Sequence, residues 1–111
     1  MLDTSPLTAV VERFADRLRA APQSRLQQGA AEAALELARA LSTRAQGLEG
    51  LAVREMPDAG IFAVGDQVAV AGLDLAEALR GARAGETATA PSEMLDEAVR
   101  LVEQAEVRAM R

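Results

Sequence analysis

The chain has 111 residues with a mass of 11.7 kDa and a net charge of −5, and it lacks His, Cys, Trp, Tyr and Lys altogether. Without His no unperturbed side chain titrates between about pH 5 and 8, and without Cys there is no thiolate nucleophile or soft metal ligand. Half of the residues are apolar, but only Phe14 and Phe62 are aromatic, so the core material is Ala, Leu and Val, a set that favours helices over strands.

All cations are arginine, which fits the coding bias of a bacterial genome rich in G and C before any special use of guanidinium. Charge is unevenly spread. Residues 1–54 carry seven Arg against six carboxylates, whereas residues 55–111 carry five against eleven. An acidic second half is poorly suited to nucleic acid, where affinity comes from neutralising phosphates. The opening Met-Leu-Asp-Thr-Ser-Pro lacks the basic start and apolar run of a secretory signal. No stretch is apolar enough to span a bilayer, because Asp66 and Gln67 interrupt the best one. The expectation is a cytoplasmic protein, without membrane or nucleic-acid partners, whose residues 1–111 form a single helical-bundle domain.

Pro6, Pro22, Pro57 and Pro91 each stand at or just before a segment with helical apolar spacing, where a fixed φ helps and a missing N–H costs little. In the first segment Ser5 is the expected cap, and Leu7, Val10, Val11, Phe14, Leu18 and Ala21 form the inner face. In the second, Ser24 and Gln27 have capping-box spacing, and the stripe runs Leu26, Ala30, Ala33, Leu37, Leu41, Ala45, Leu48, with Gly47 and Gly50 as stops.

The third segment is expected to open at Asp58 and to repeat as Ile61, Val64, Val68, Ala71, Leu75, Ala78 and Ala82 before Gly81 and Gly85. Within it, Ile-Phe-Ala-Val, Gly65-Asp66 and Gln-Val-Ala-Val also fit a two-residue β-hairpin, so residues 61–71 admit either conformation. The helix is preferred, because an isolated hairpin is marginal in water and nothing else in the chain extends a sheet. The fourth begins near Ser92 and aligns Leu95, Ala98, Val102, Ala105 and Ala109. Short links, Ala20 to Gln23, Glu49 to Pro57 and Gly85 to Ala90, point to an all-α, antiparallel up-down-up-down four-helix bundle.

Carboxylates are the only material for metal or acid–base chemistry, and Glu32/Glu36, Glu93/Glu97 and Glu103/Glu106 each share a helical face. Di-metal bundles also use Glu-x-x-His motifs, which a chain without His cannot supply. Spacings such as Glu36/Arg39, Glu77/Arg80 and Glu97/Arg100 instead suit solvated surface pairs. Ser5, Ser24, Ser42 and Ser92 have no base to activate them. No enzyme, metal or cofactor is therefore expected. Gly65 and Gly72, seven apart, match no phosphate loop and read as a line of close helix approach.

Two surfaces remain as candidates. Arg13 and Arg17, within the cluster Arg13, Arg17, Arg19 and Arg25, are a possible anion site, although Glu12 and Asp16 make the same face mixed in charge. On the third helix, Phe62, Asp66, Ala69, Val70 and Leu73 lie away from the core stripe and give that helix apolar residues on its outer side too. Such an excess suits partner binding, either a homodimer or docking onto another helical protein. The plain alternative is that flanking segments wrap the helix. The expected function is thus a non-enzymatic interaction or scaffold protein; the alternative is a small-molecule binder with an apolar pocket between Ala-rich helices.

Overall fold

Among the residues described by the computed structural model, 2–83, 85 and 87–111, the chain forms four long α-helices and no strand. They are α1 (Ser5–Ala20), α2 (Ala31–Leu48), α3 (Val64–Gly81) and α4 (Pro91–Ala109). Their stripes close over one connected core in which Phe14, Leu7, Leu41, Leu75, Leu79, Val11, Val68 and Val102 are the largest fully buried side chains. The four-helix bundle expected from the sequence is the fold of this chain, and residues 64–71 are helix rather than hairpin.

The ends of the helices show where local chemistry differs from the expected caps. Ser5 is not a cap but the first helical residue; its N–H and Oγ–H both donate to Asp3 Oδ1, at 3.0 and 2.7 Å. Those bonds from Ser5 hold the Asp3 carboxyl below the usual range. Ser24 and Gln27 form no capping box, because the chain there is a short turn (Gln23–Arg25) and a wide π-type turn (Leu26–Ala30) kinked at Gly29, whose φ is 127°. Only after this kink does α2 run straight.

Asp58 does not open the third helix. Its Oδ1 accepts the N–H of Gly60 at 2.9 Å, an Asx-type turn that Gly60 completes at φ 96°. Helix α3 therefore begins at Val64, which lengthens the connection from α2 into a strap of residues 49–63. The strap runs back along the bundle. Gln46 acts as a backbone mimic for it, with Oε1 accepting from Arg54 N (2.8 Å) and Nε2 donating to Arg54 O (3.2 Å). Farther on, Arg39 donates to Met56 O at 2.8 Å and Gln67 to Pro57 O at 2.8 Å.

This return sets the directions of the helices. Arg19 of α1 meets Asp66 of α3 at 2.8 Å while Arg80 reaches Thr4 at 2.7 Å, so α1 and α3 are antiparallel. Arg44–Glu97 (2.7 Å) and Glu36–Arg108 (3.9 Å) make α2 and α4 antiparallel as well. Helices α2 and α3 run the same way, since Glu32 and Leu35 border Ile61 and Val64 while Gly47 and Leu48 border Ala78 and Gly81. The bundle is thus ordered up-down-down-up, because a strap long enough to cross the bundle replaces the short link that strict alternation requires.

The line of close approach expected from Gly65 and Gly72 lies between α3 and α1. A Cβ on Gly65 would come within 3.1 Å of the Ala15 carbonyl oxygen, and one on Gly72 within 2.6 Å of both Val11 methyls. Backbone contact of this kind presses α3 inward along its α1 side and leaves its opposite side facing out.

Candidate functional site

Helix α3 is packed against α1 on one flank and α2 on the other, so Val64, Val68, Ala71, Leu75 and Leu79 are buried. The outer stripe is a different set. Phe62 is 73% exposed, Val70 54% and Leu73 48%, with half-buried Ala69 between them. Flanking segments do not wrap this side. All five residues singled out from the sequence, Phe62, Asp66, Ala69, Val70 and Leu73, therefore lie on or at the edge of one outward stripe.

The strap enlarges that stripe. Leu51 and Val53 are 57% and 62% exposed, and the strap runs antiparallel beside α3, with Leu51 next to Asp74 and Pro57 bonded to Gln67. Val53 lies in the strap between these two points. Of the six large hydrophobic residues exposed among the described ones, five belong to this face; Val107 is the other. Single exposed apolar residues are ordinary on a protein surface, but here five of six lie on two neighbouring segments. Leu51 and Val53 were not foreseen, although their i, i+2 spacing in a polar link was a signal of an extended segment with one apolar side.

Asp66 stands at the α1 edge of the face. Its Oδ1 accepts from Arg19 Nε (3.0 Å) and a terminal nitrogen (2.8 Å), and Arg19 also reaches Asp16 at 3.1 Å. The Asp66 contact, helped by Asp16, holds the Arg19 guanidinium more firmly charged than usual. Asp66 is thus a positioned rim charge rather than an apolar anchor.

Arg13 and Arg17 are occupied by an internal acid. Glu106, 6% exposed, accepts from Arg13 at 2.7 Å on one oxygen and from Arg17 at 3.1 Å on the other. Burial pushes the Glu106 carboxyl up, but the hydrogen bonds from Arg13 and Arg17 outweigh it and hold the group below the usual range. The same contact raises Arg13. The two guanidiniums clamp α1 to α4. Glu103 and Glu106 share a helical face in the sequence, yet Glu106 is buried, next to Ala105 of the core stripe; an acid there facing an i, i+4 arginine pair was the available clue.

Other expected surface pairs are redistributed between helices. Glu97 takes Arg44 rather than Arg100, and this bond holds its carboxyl below the usual range. Glu36 faces Arg108 and Arg39 faces Glu55, while Glu77 and Arg80 keep their i, i+3 contact at 3.8 Å. Among the described residues no three acidic side chains gather in a way that suits a metal ion, and no helix is long and apolar enough to cross a membrane.

A separate groove of about 620 Å³ opens between α2 and α4, lined by Leu37, Ala40, Leu101 and Val107 together with Glu36, Glu103, Arg108 and Arg111. Comparison with protein-family models, curated proteins and solved structures finds no match to this chain. The reading of function therefore rests on these surfaces alone.

Proposed function

We propose that this chain is a non-enzymatic interaction protein that binds a helical protein, a second copy of itself or another chain, through the face built on α3. Supporting this is the exposure of Val70 and Leu73 on the outward side of a helix whose inner side already fills the core, with exposed Phe62 in the turn that leads into it. Phe62 is the natural anchor, since buried aromatics dominate interface energetics, and Ala69 gives a partner helix room to approach. The test is paired. Light scattering on size-exclusion peaks gives the mass of the native chain and of Val70→Asp, and each is immobilised for capture from lysate. A partner or self-association lost in Val70→Asp supports the reading; a monomer whose captured proteins are the same for both chains overturns it.

The groove between α2 and α4 favours a second reading, a small-molecule binder. It has the size of a ligand site and a mostly apolar lining, with Glu36 and Glu103 as well as Arg108 and Arg111 around it, which suits a largely apolar ligand. Arg108 and Arg111 line this groove, while Arg13 and Arg17 bond Glu106 elsewhere. Native mass spectrometry of protein from its source checks it: a bound small molecule supports the binder, and bare mass under gentle conditions counts against it.

A further inference from the structure

The occupant of the α3 face is constrained by its charge. Residues 49–81 hold six carboxylates against two arginines, a net −4 out of −5 for the whole chain. Three of the six, Glu55, Asp66 and Glu77, have arginine partners within the bundle. Asp74 and Glu49 have none among the described residues, and both line a cleft of about 290 Å³ with Leu51, Ala45, Gln46 and Ser42 at the strap edge of the face. A mostly polar cleft with Leu51 and Ala45 beside two carboxylates that have no arginine partner among the described residues suits the stem and head of an arginine or lysine side chain. A second copy would bring like charge against like, which disfavours self-pairing here, and anionic lipid or nucleic acid is repelled for the same reason.

We infer that the α3 face is the docking site for a basic amphipathic helix of another protein, with apolar anchors on the Phe62–Val70–Leu73 stripe and a cation in the Glu49–Asp74 cleft. This rests on the docking reading above and narrows it to one class of partner. Val70 and Leu73, three apart on α3, with Phe62 in the turn before it, suit the i, i+3, i+7 anchors of a docked amphipathic helix. Steering by the acidic rim also makes association sensitive to salt.

Fluorescence anisotropy with three labelled peptides of about five turns tests this: a basic amphipathic helix, its acidic counterpart with the same apolar stripe, and a basic peptide with the apolar residues dispersed. The basic amphipathic helix is expected to bind at least about tenfold more tightly than either control, and to weaken as salt is added. Asp74→Asn should lose roughly threefold and Val70→Asp at least about tenfold. Equal binding of the acidic peptide, no binding of the basic one, or preference for phosphatidylserine vesicles over it overturns the basic-helix assignment. If the chain then self-associates in a manner lost in Val70→Asp, the docking face stands with a second copy as its occupant; if Val70→Asp changes neither binding nor mass, the docking reading fails as well.

Discussion

Gly72 of α3 and Val11 of α1 are in such close contact that a methyl group on the glycine would sit 2.5 Å from one valine Cγ and 2.6 Å from the other. Val11 is buried and β-branched, so it has no spare rotamer into which to retreat. Gly72→Ala gains about 1 kcal/mol of helix propensity but incurs overpacking of about 1–3 kcal/mol, for a net loss. Thermal melts should show a lower Tm for Gly72→Ala. The double substitution Gly72→Ala with Val11→Ala should be more stable than the sum of the single effects, because the new methyl occupies space the valine vacates. Additive losses would mean that the two helices do not meet at this point.

Gly47 is the matching control. Nothing lies within 4 Å of the position its Cβ would take, and its φ is not positive. Gly47→Ala near the end of α2 should therefore raise stability by about 0.5–1 kcal/mol, measured as a higher urea midpoint at unchanged m. A fall would show that the C-terminal turn of α2 needs the glycine.

The Glu106 clamp predicts a pH dependence with a definite sign. Its folded-state carboxyl is held below the unfolded value, so its contribution is present above the ordinary glutamate range and is lost as pH falls through the folded pKa. Glu106→Gln should cost on the order of 1–3 kcal/mol at pH 7 and flatten the acid limb of a stability–pH curve. Unfolding followed from pH 7 down to about pH 3 checks both features. A parallel downward shift with the slope retained would assign the acid sensitivity to other carboxylates, such as Glu97 beside Arg44.

What the sequence made legible follows a physical division. Periodicity places apolar residues on one side of a helix, and so the core stripes and the glycine line were readable, as was the outward position of Phe62, Val70 and Leu73. Pairings across helices were not. Glu97–Arg44 and Glu36–Arg108 depend on which helices are neighbours and in which direction they run. That direction turned on Asp58: taken as a helix cap it gives a short link, but by holding Gly60 N–H it makes a turn and leaves a strap that reverses the next helix. An Asx turn and an N-cap use the same residue types, and only the tertiary bonds of Gln46, Arg39 and Gln67 decide between them.

The strap can be loosened without touching the apolar face. Gln46 bonds both backbone groups of Arg54 through its amide, and its Nε2 also reaches Ser42 Oγ at 3.1 Å. Gln46→Ala removes these bonds, the two to Arg54 at exposed positions and the one to Ser42 half-buried, so it should cost at most about 1–1.5 kcal/mol in global stability. Its local effect should be larger. Amide hydrogen exchange at Arg54 should speed up well beyond the change in the α2 and α3 core amides, because only the strap opens. If the face needs Leu51 and Val53 held beside α3, Gln46→Ala should also weaken partner binding several-fold while leaving helicity unchanged. Uniform acceleration across the helices would instead place Gln46 in the global fold, and unchanged Arg54 exchange would show that the strap is held from its other end, at Met56 and Pro57.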